Sequence, residues 1–142
     1  MKNKFIILFI SVLTLAFIVS CSEDSTTEPT PTTIIQTPTA KLSDIQVKVF
    51  NITCALSGCH GATNNQAGLL LTDGNSYSEL VNAQGEVFTN YTRVIPDSSA
   101  QSLIIKLIKG ELSPRMPLDR DILPAAVIDS IAKWIDNGAL NN

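Results

Sequence analysis

The chain has 142 residues, 44% of them hydrophobic, and a formal charge of −3, which becomes −5 without Lys2 and Lys4. That length leaves room for one modest domain. The charge excludes a basic nucleic-acid-binding surface, and mild acidity alone names no partner.

In chain order, the first element is a targeting segment. Lys2 and Lys4 precede an apolar run from Phe5 to Val19, broken only by Ser11 and Thr14. This reads as a signal peptide over residues 1–20, because a membrane-spanning helix needs about 20 apolar residues and this run is shorter. The alternative is an N-terminal membrane anchor. The run closes on "IVSC", Ile18 to Cys21, which resembles the lipobox of bacterial lipoproteins. The resemblance implies cleavage before Cys21 and lipidation of Cys21 on its sulfur and new amino group. Several acyl chains together anchor firmly. Localisation at the bacterial cell envelope follows, on the periplasmic face or the cell surface. Residues 21–40 are rich in Thr, Pro and acid and have little apolar surface, so they are expected to form a disordered tether.

Residues 41–142 are the expected folded domain. Ser43 reads as the N-cap of a first helix with Ile45, Val49, Phe50 and Ile52 on one face, running into Cys54. Gly- and Asn-rich loops follow, with a short helix expected over 76–82. Another helix starts near Ser98 or Ser99, carries Leu103, Ile104, Leu107 and Ile108 as its stripe, and stops at Gly110. Pro114 and Pro117 forbid regular helix in the next stretch. A last helix begins near Pro124, buries Val127, Ile128, Ile131, Trp134 and Ile135, and ends at Gly138. With no two-residue alternation in view, the expected class is all-α, with long loops and a thin core. Such a core commonly needs a staple.

"CALSGCHG", residues 54–61, points to what that staple is. Beyond Cys21, the only cysteines are Cys54 and Cys59, and the only histidine, His60, follows directly. Structural zinc normally takes four Cys or His ligands, and this stretch offers three, crowded together. A Cys54–Cys59 disulfide closes a short loop of limited value and leaves His60 and Met116 unexplained. Haem uses all of them. A cysteine pair ending in Cys-His is how c-type haem is attached, although the usual spacer is two residues and here it is four. The extra residues must bulge outward, which Gly58 eases. His60 and Met116 are then the axial ligands. Met116 and its neighbours Arg115 and Pro117 lie in a polar, proline-stiffened loop, an unusual setting for a core methionine. Arg115 and Arg93 are candidate partners for the haem propionates, and Tyr91 is a candidate pocket residue. Trp134, at helical spacing with Ile131 and Ile135, reads as core.

Taken in order, "FNITCALSGCHG", "AGLLL", "RVIPDSSAQSLIIKLIKG", "RMP" and "AAVIDSIAKWIDNGA" resemble the class I-type monohaem cytochromes c of bacterial secreted proteins. The resemblance covers nearly all of residues 45–140 and departs from the family at the four-residue spacer. It implies a small helical domain wrapped around one covalent haem c, with first and last helices packed across each other and a methionine loop closing the pocket. A lipid-anchored carrier of single electrons between redox partner proteins is the expected function. The alternatives are a haem-based sensor or peroxidase-like protein, against which the absence of a second histidine counts, and a haem-free surface lipoprotein with a Cys54–Cys59 disulfide.

Overall fold

Residues 35–142 are described by the structure, a computed structural model; the expected signal peptide, Cys21 and the tether up to residue 34 lie outside the described residues. The remainder of the expected tether packs on the domain: Pro38 is buried, Ile35 and Ala40 lie against the core, and the Thr39 N–H donates to Asp44. Among the described residues no helix is long and apolar enough to cross a membrane.

The first helix begins as α1 (Leu42–Ile45) and continues as a π-helix over Gln46–Cys54. Lys41, in extended conformation, occupies the cap position instead of Ser43. The first helical N–H groups, which have no partner inside a helix, find Asn142: Leu42 N–H donates to its Oδ1 at 3.1 Å and Ser43 N–H to its carbonyl at 2.8 Å. A cap supplied from a residue 100 positions away is invisible in the local sequence. The wider winding, seen in the Ala55 N–H bond to Phe50 O at 2.7 Å, keeps Ile45, Val49 and Phe50 buried. It also turns Ile52 partly out, to 38% exposure, where an α-helical pitch would have placed it with them.

The all-α expectation is corrected by the segment that follows. β1 (His60–Gly61) pairs antiparallel with β2 (Asn64–Asn65), His60 opposite Asn65 and Gly61 opposite Asn64. Single bridges join Val81 to Val94 and Gln84 to Thr92. The class is therefore mixed α/β. Strands of two residues are too short to carry the period-2 alternation by which strands are recognised, and "TNNQ" reads as a polar connection in sequence.

Three more α-helices complete the domain: α2 (Ser76–Leu80), α3 (Leu103–Lys109) and α4 (Ala125–Asp136). A 3₁₀ turn, Ser99–Gln101, leads into α3. Its Ser99 is held to the end of α4 by Asp136, which accepts from the Ser99 N–H at 2.8 Å and hydroxyl at 2.9 Å. Two helices stop in the same way. Gly110 (φ +75°) follows α3 and Gly138 (φ +91°) follows α4, each in the left-handed region that glycine adopts without penalty. Paired bonds close both ends: Gly110 N–H to Leu107 O with Glu111 N–H to Lys106 O, and Gly138 N–H to Ile135 O with Ala139 N–H to Trp134 O. The α4 stripe of Val127, Ile128, Ile131, Trp134 and Ile135 is buried as expected. Trp134 satisfies its indole N–H on Leu140 O at 2.8 Å. On α3, Leu103, Ile105 and Ile108 are buried, while Ile104 and Leu107 are only partly covered and face a cavity.

Candidate functional site

The Cys54–Gly61 segment is a chain of local constraints. Cys54 is the last residue of the π-helix. The spacer then makes a turn closed by Cys59 N–H to Leu56 O at 3.0 Å, with Gly58 at φ +83° in the position where such a turn requires a left-handed residue. Ser57 and Gly58 are exposed, and Gly58 also stands at the wall of the cavity that Cys54 and Cys59 line. Cys59 and His60 are fixed from the other side: Gln66 N–H donates to Cys59 O at 3.0 Å and Leu71 N–H to His60 O at 2.8 Å. Gly61 seats this strand against the turn. A Cβ there would stand 2.7 Å from Ala55 O and 2.8 Å from Leu56 O, closer than any real Cβ tolerates.

The electrostatics of the segment follow from burial. His60 has its pKa lowered below the ordinary imidazole value, first by desolvation and further by the charge of Arg93, against the opposing pull of the Leu69 and Gln66 backbone. Neutral imidazole is the resulting form. Its Nδ1 lies 3.1 Å from Gln66 O, and since a carbonyl only accepts, Nδ1 carries the proton. Nε2 is left with its lone pair, the condition for binding a metal, and the Nδ1 bond fixes the ring orientation. Burial pushes the Cys54 thiol up to about 12, the nearby Cys59 adds to the rise, and Arg120 pulls the other way. Cys54 and Cys59 are both free thiols, and Cys54 stays protonated rather than forming a reactive thiolate. Among the described residues no three His, Cys, Asp or Glu side chains group as a metal site.

Met116 arrives from a distant part of the chain. Its N–H donates to Leu107 O at 3.0 Å, which hangs the loop on the end of α3, and its side chain packs against the core. Pro117 beside it is buried. Arg115 is not a cavity residue. Its guanidinium donates to Arg120 O at 2.7 Å and reaches Met116 O at 3.5 Å, fastening the loop to itself. Arg93 does reach the cavity, but it is buried and committed: Nη1 donates to Glu79 O (2.9 Å) and Glu79 Oε2 (3.2 Å), Nη2 to Ala67 O (3.1 Å) and Gly68 O (3.0 Å). It ties the 66–68 turn to α2.

Cys54, Cys59, His60, Met116 and Pro117 all line one cavity of about 560 Å³. Its walls are mainly apolar, from Val49, Phe50, Leu80, Leu103, Ile104 and Leu107. Tyr91 stands behind this wall, edge-on to Phe88 at 6.3 Å between ring centres, and Trp134 lies in the core away from it. Sequence reasoning missed Gly85, Glu86, Val87 and Phe88, which close one side, and Arg120. Nothing periodic marks the 85–88 loop. Its one signal was Gly85, where a Cβ would press to 2.8 Å from Leu103 Cδ2.

The volume lies within the range of small-molecule and cofactor sites, about 300–1,000 Å³, and so does the character: apolar walls with a few polar groups. Two thiols, an imidazole with a free Nε2 and a thioether sulfur on one apolar cavity fit a covalently held haem. Comparison of the chain with family models, with curated proteins and with solved structures found no match.

Proposed function

We propose that the protein is a monohaem c-type cytochrome that carries single electrons. The observation that carries this reading is the convergence of Cys54, Cys59, His60 and Met116, separated by up to 62 positions, on one apolar cavity. Cys54 and Cys59 would hold the group through thioethers, His60 through Nε2 and Met116 through sulfur. Held by two protein ligands, His60 and Met116, the group would supply one-electron exchange. The surrounding residues support that use. Apolar walls exclude water, and the Gln66 carbonyl keeps the His60 ring in one orientation. We further propose that Cys21 carries lipid and residues 21–34 act as a spacer, keeping the carrier at a membrane of the cell envelope within reach of redox partners.

Intact mass of the chain produced in cells that attach c-type haem, measured after denaturation, tests the reading. A gain of one haem is expected. A folded, exported chain with no gain would overturn it.

A further inference from the structure

One arginine that sequence reasoning passed over is the one left to receive an anion. The chain has three arginines. Arg93 is buried and spends its guanidinium on Glu79 and three backbone carbonyls. Arg115 spends its own on the carbonyls of its loop and does not line the cavity. Arg120 lines the cavity, and among the described residues no carboxylate oxygen lies within 4.0 Å of its guanidinium and no hydrogen bond uses it. Its charge is felt inside the cavity, where it opposes the effect of burial on the Cys54 thiol. The other charged side chain at the wall without a buried partner is Glu86, which repels anions. The cavity is therefore an apolar space with one uncommitted cation.

Resting on the haem reading above, we propose that Arg120 pairs with a carboxylate of the bound haem. Haem is an apolar disc with two carboxylates, and a carboxylate at the edge of an apolar site is costly unless it is paired. A guanidinium fork matches it in two parallel hydrogen bonds. Arg120 is four residues beyond Met116 on the same loop, so this pair also holds the loop that brings Met116 to the cavity. The sequence favoured Arg115 for this role; the Arg115 bond to the Arg120 carbonyl makes Arg115 the residue that positions Arg120.

The test uses the full chain with haem attached, as wild type, Arg120→Gln, Arg120→Lys and the control Lys109→Gln, an exposed cation outside the cavity lining. Haem mass gain is recorded first, then the propionate bending band by resonance Raman spectroscopy, which follows hydrogen bonding at the carboxylates. A shift of that band in Arg120→Gln, a smaller one in Arg120→Lys and none in Lys109→Gln is the expected result. An unshifted band in Arg120→Gln overturns the role of Arg120 while leaving the haem reading standing. If Arg120→Gln fails to mature, Arg120→Lys decides by the same band, since an ammonium cannot reproduce the two-bond contact. Absence of haem from the wild type overturns both readings together.

Discussion

Residues 54–61 and residues 111–123 reach the same cavity from distant parts of the chain, and they are held in different ways. The first segment is over-determined. A π-helix end, a glycine turn, a two-strand pairing and bonds from Gln66 and Leu71 all fix the backbone on which Cys54, Cys59 and His60 sit. The second is tied at its ends, by Glu111 on Lys106 and by the buried Leu123, and between them hangs from few points: Met116 N–H on Leu107 O, the Arg115 clasp on Arg120 O, and the packing of Met116 and Pro117. The imidazole side of the site is therefore set by local backbone geometry. The thioether side depends on tertiary contacts that a single side-chain change can loosen.

Gly61→Ala attacks the rigid side where it has no room. The added methyl meets two backbone carbonyls, Ala55 O and Leu56 O, which cannot rotate aside as a side chain would. We expect a loss of about 2–3 kcal/mol in urea unfolding, the scale of overpacking in a closed site, and, on the proposed haem reading, reduced haem attachment. A midpoint unchanged from wild type would remove the claim that this segment is over-determined. Gly58→Ala sharpens the same point. Nothing lies within 4 Å of a Cβ at Gly58, so its whole cost is the left-handed backbone at φ +83°, about 1–2 kcal/mol. The two substitutions separate crowding from backbone strain within one turn.

What was legible in the sequence divides along the same line. The stripe of α4 and the glycine stops at Gly110 and Gly138 were readable because both are local, resting on 3.6-residue periodicity and on freedom at positive φ. Clustering of Cys54, Cys59 and His60 was readable for the same reason. Winding of the first helix was not, because Ile45, Val49 and Phe50 suit an α or a π pitch equally, and only the exposure of Ile52 tells them apart. Nor was the small sheet legible, since two-residue strands have no period. The roles of the arginines were hidden for a different reason. In the sequence Arg93, Arg115 and Arg120 are three cations near candidate ligands, and only their partners, drawn from residues up to 26 positions away, show which are already spent.

On the methionine side, Arg115→Ala removes the clasp and the stem that packs over Gly110. Global stability should fall by about 1 kcal/mol or less, the net worth of one or two partly exposed hydrogen bonds. The local effect should be larger. Amide exchange over 116–121 is expected to quicken by more than that of α4, because the loop has few other anchors. Uniform acceleration across the domain would mean that the loop and the rigid segment open together, and the contrast drawn above would fail.

The smallest effect comes from acid. Asp44, in the helix that leads to Cys54, accepts from the Thr39 N–H at 2.6 Å and hydroxyl at 2.9 Å and pairs with Lys48 at 2.9 Å. These contacts, the Thr39 backbone bond first, lower its pKa from the ordinary 3.8 to about 2. A depressed carboxylate pKa means that the unfolded chain takes up the proton first, so the stabilisation is fully present above pH 3.8 and is lost as the pH falls through about 2. Of the carboxylates in residues 111–123, Asp119 and Asp121 are exposed and form no ion pair among the described residues, and Glu111, half exposed, pairs with Lys106 at 3.6 Å at the start of the segment. Acid should therefore loosen the start of the first helix while leaving the Met116 and Arg115 anchors, which rest on backbone carbonyls, untouched. The Thr39 amide resonance reads this directly: it should titrate with a midpoint near 2 in the wild type and not at all in Asp44→Asn. A midpoint near 3.8 would show that Asp44 does not hold residues 39–44 on the folded domain, and the rigid side would then begin no earlier than the π-helix.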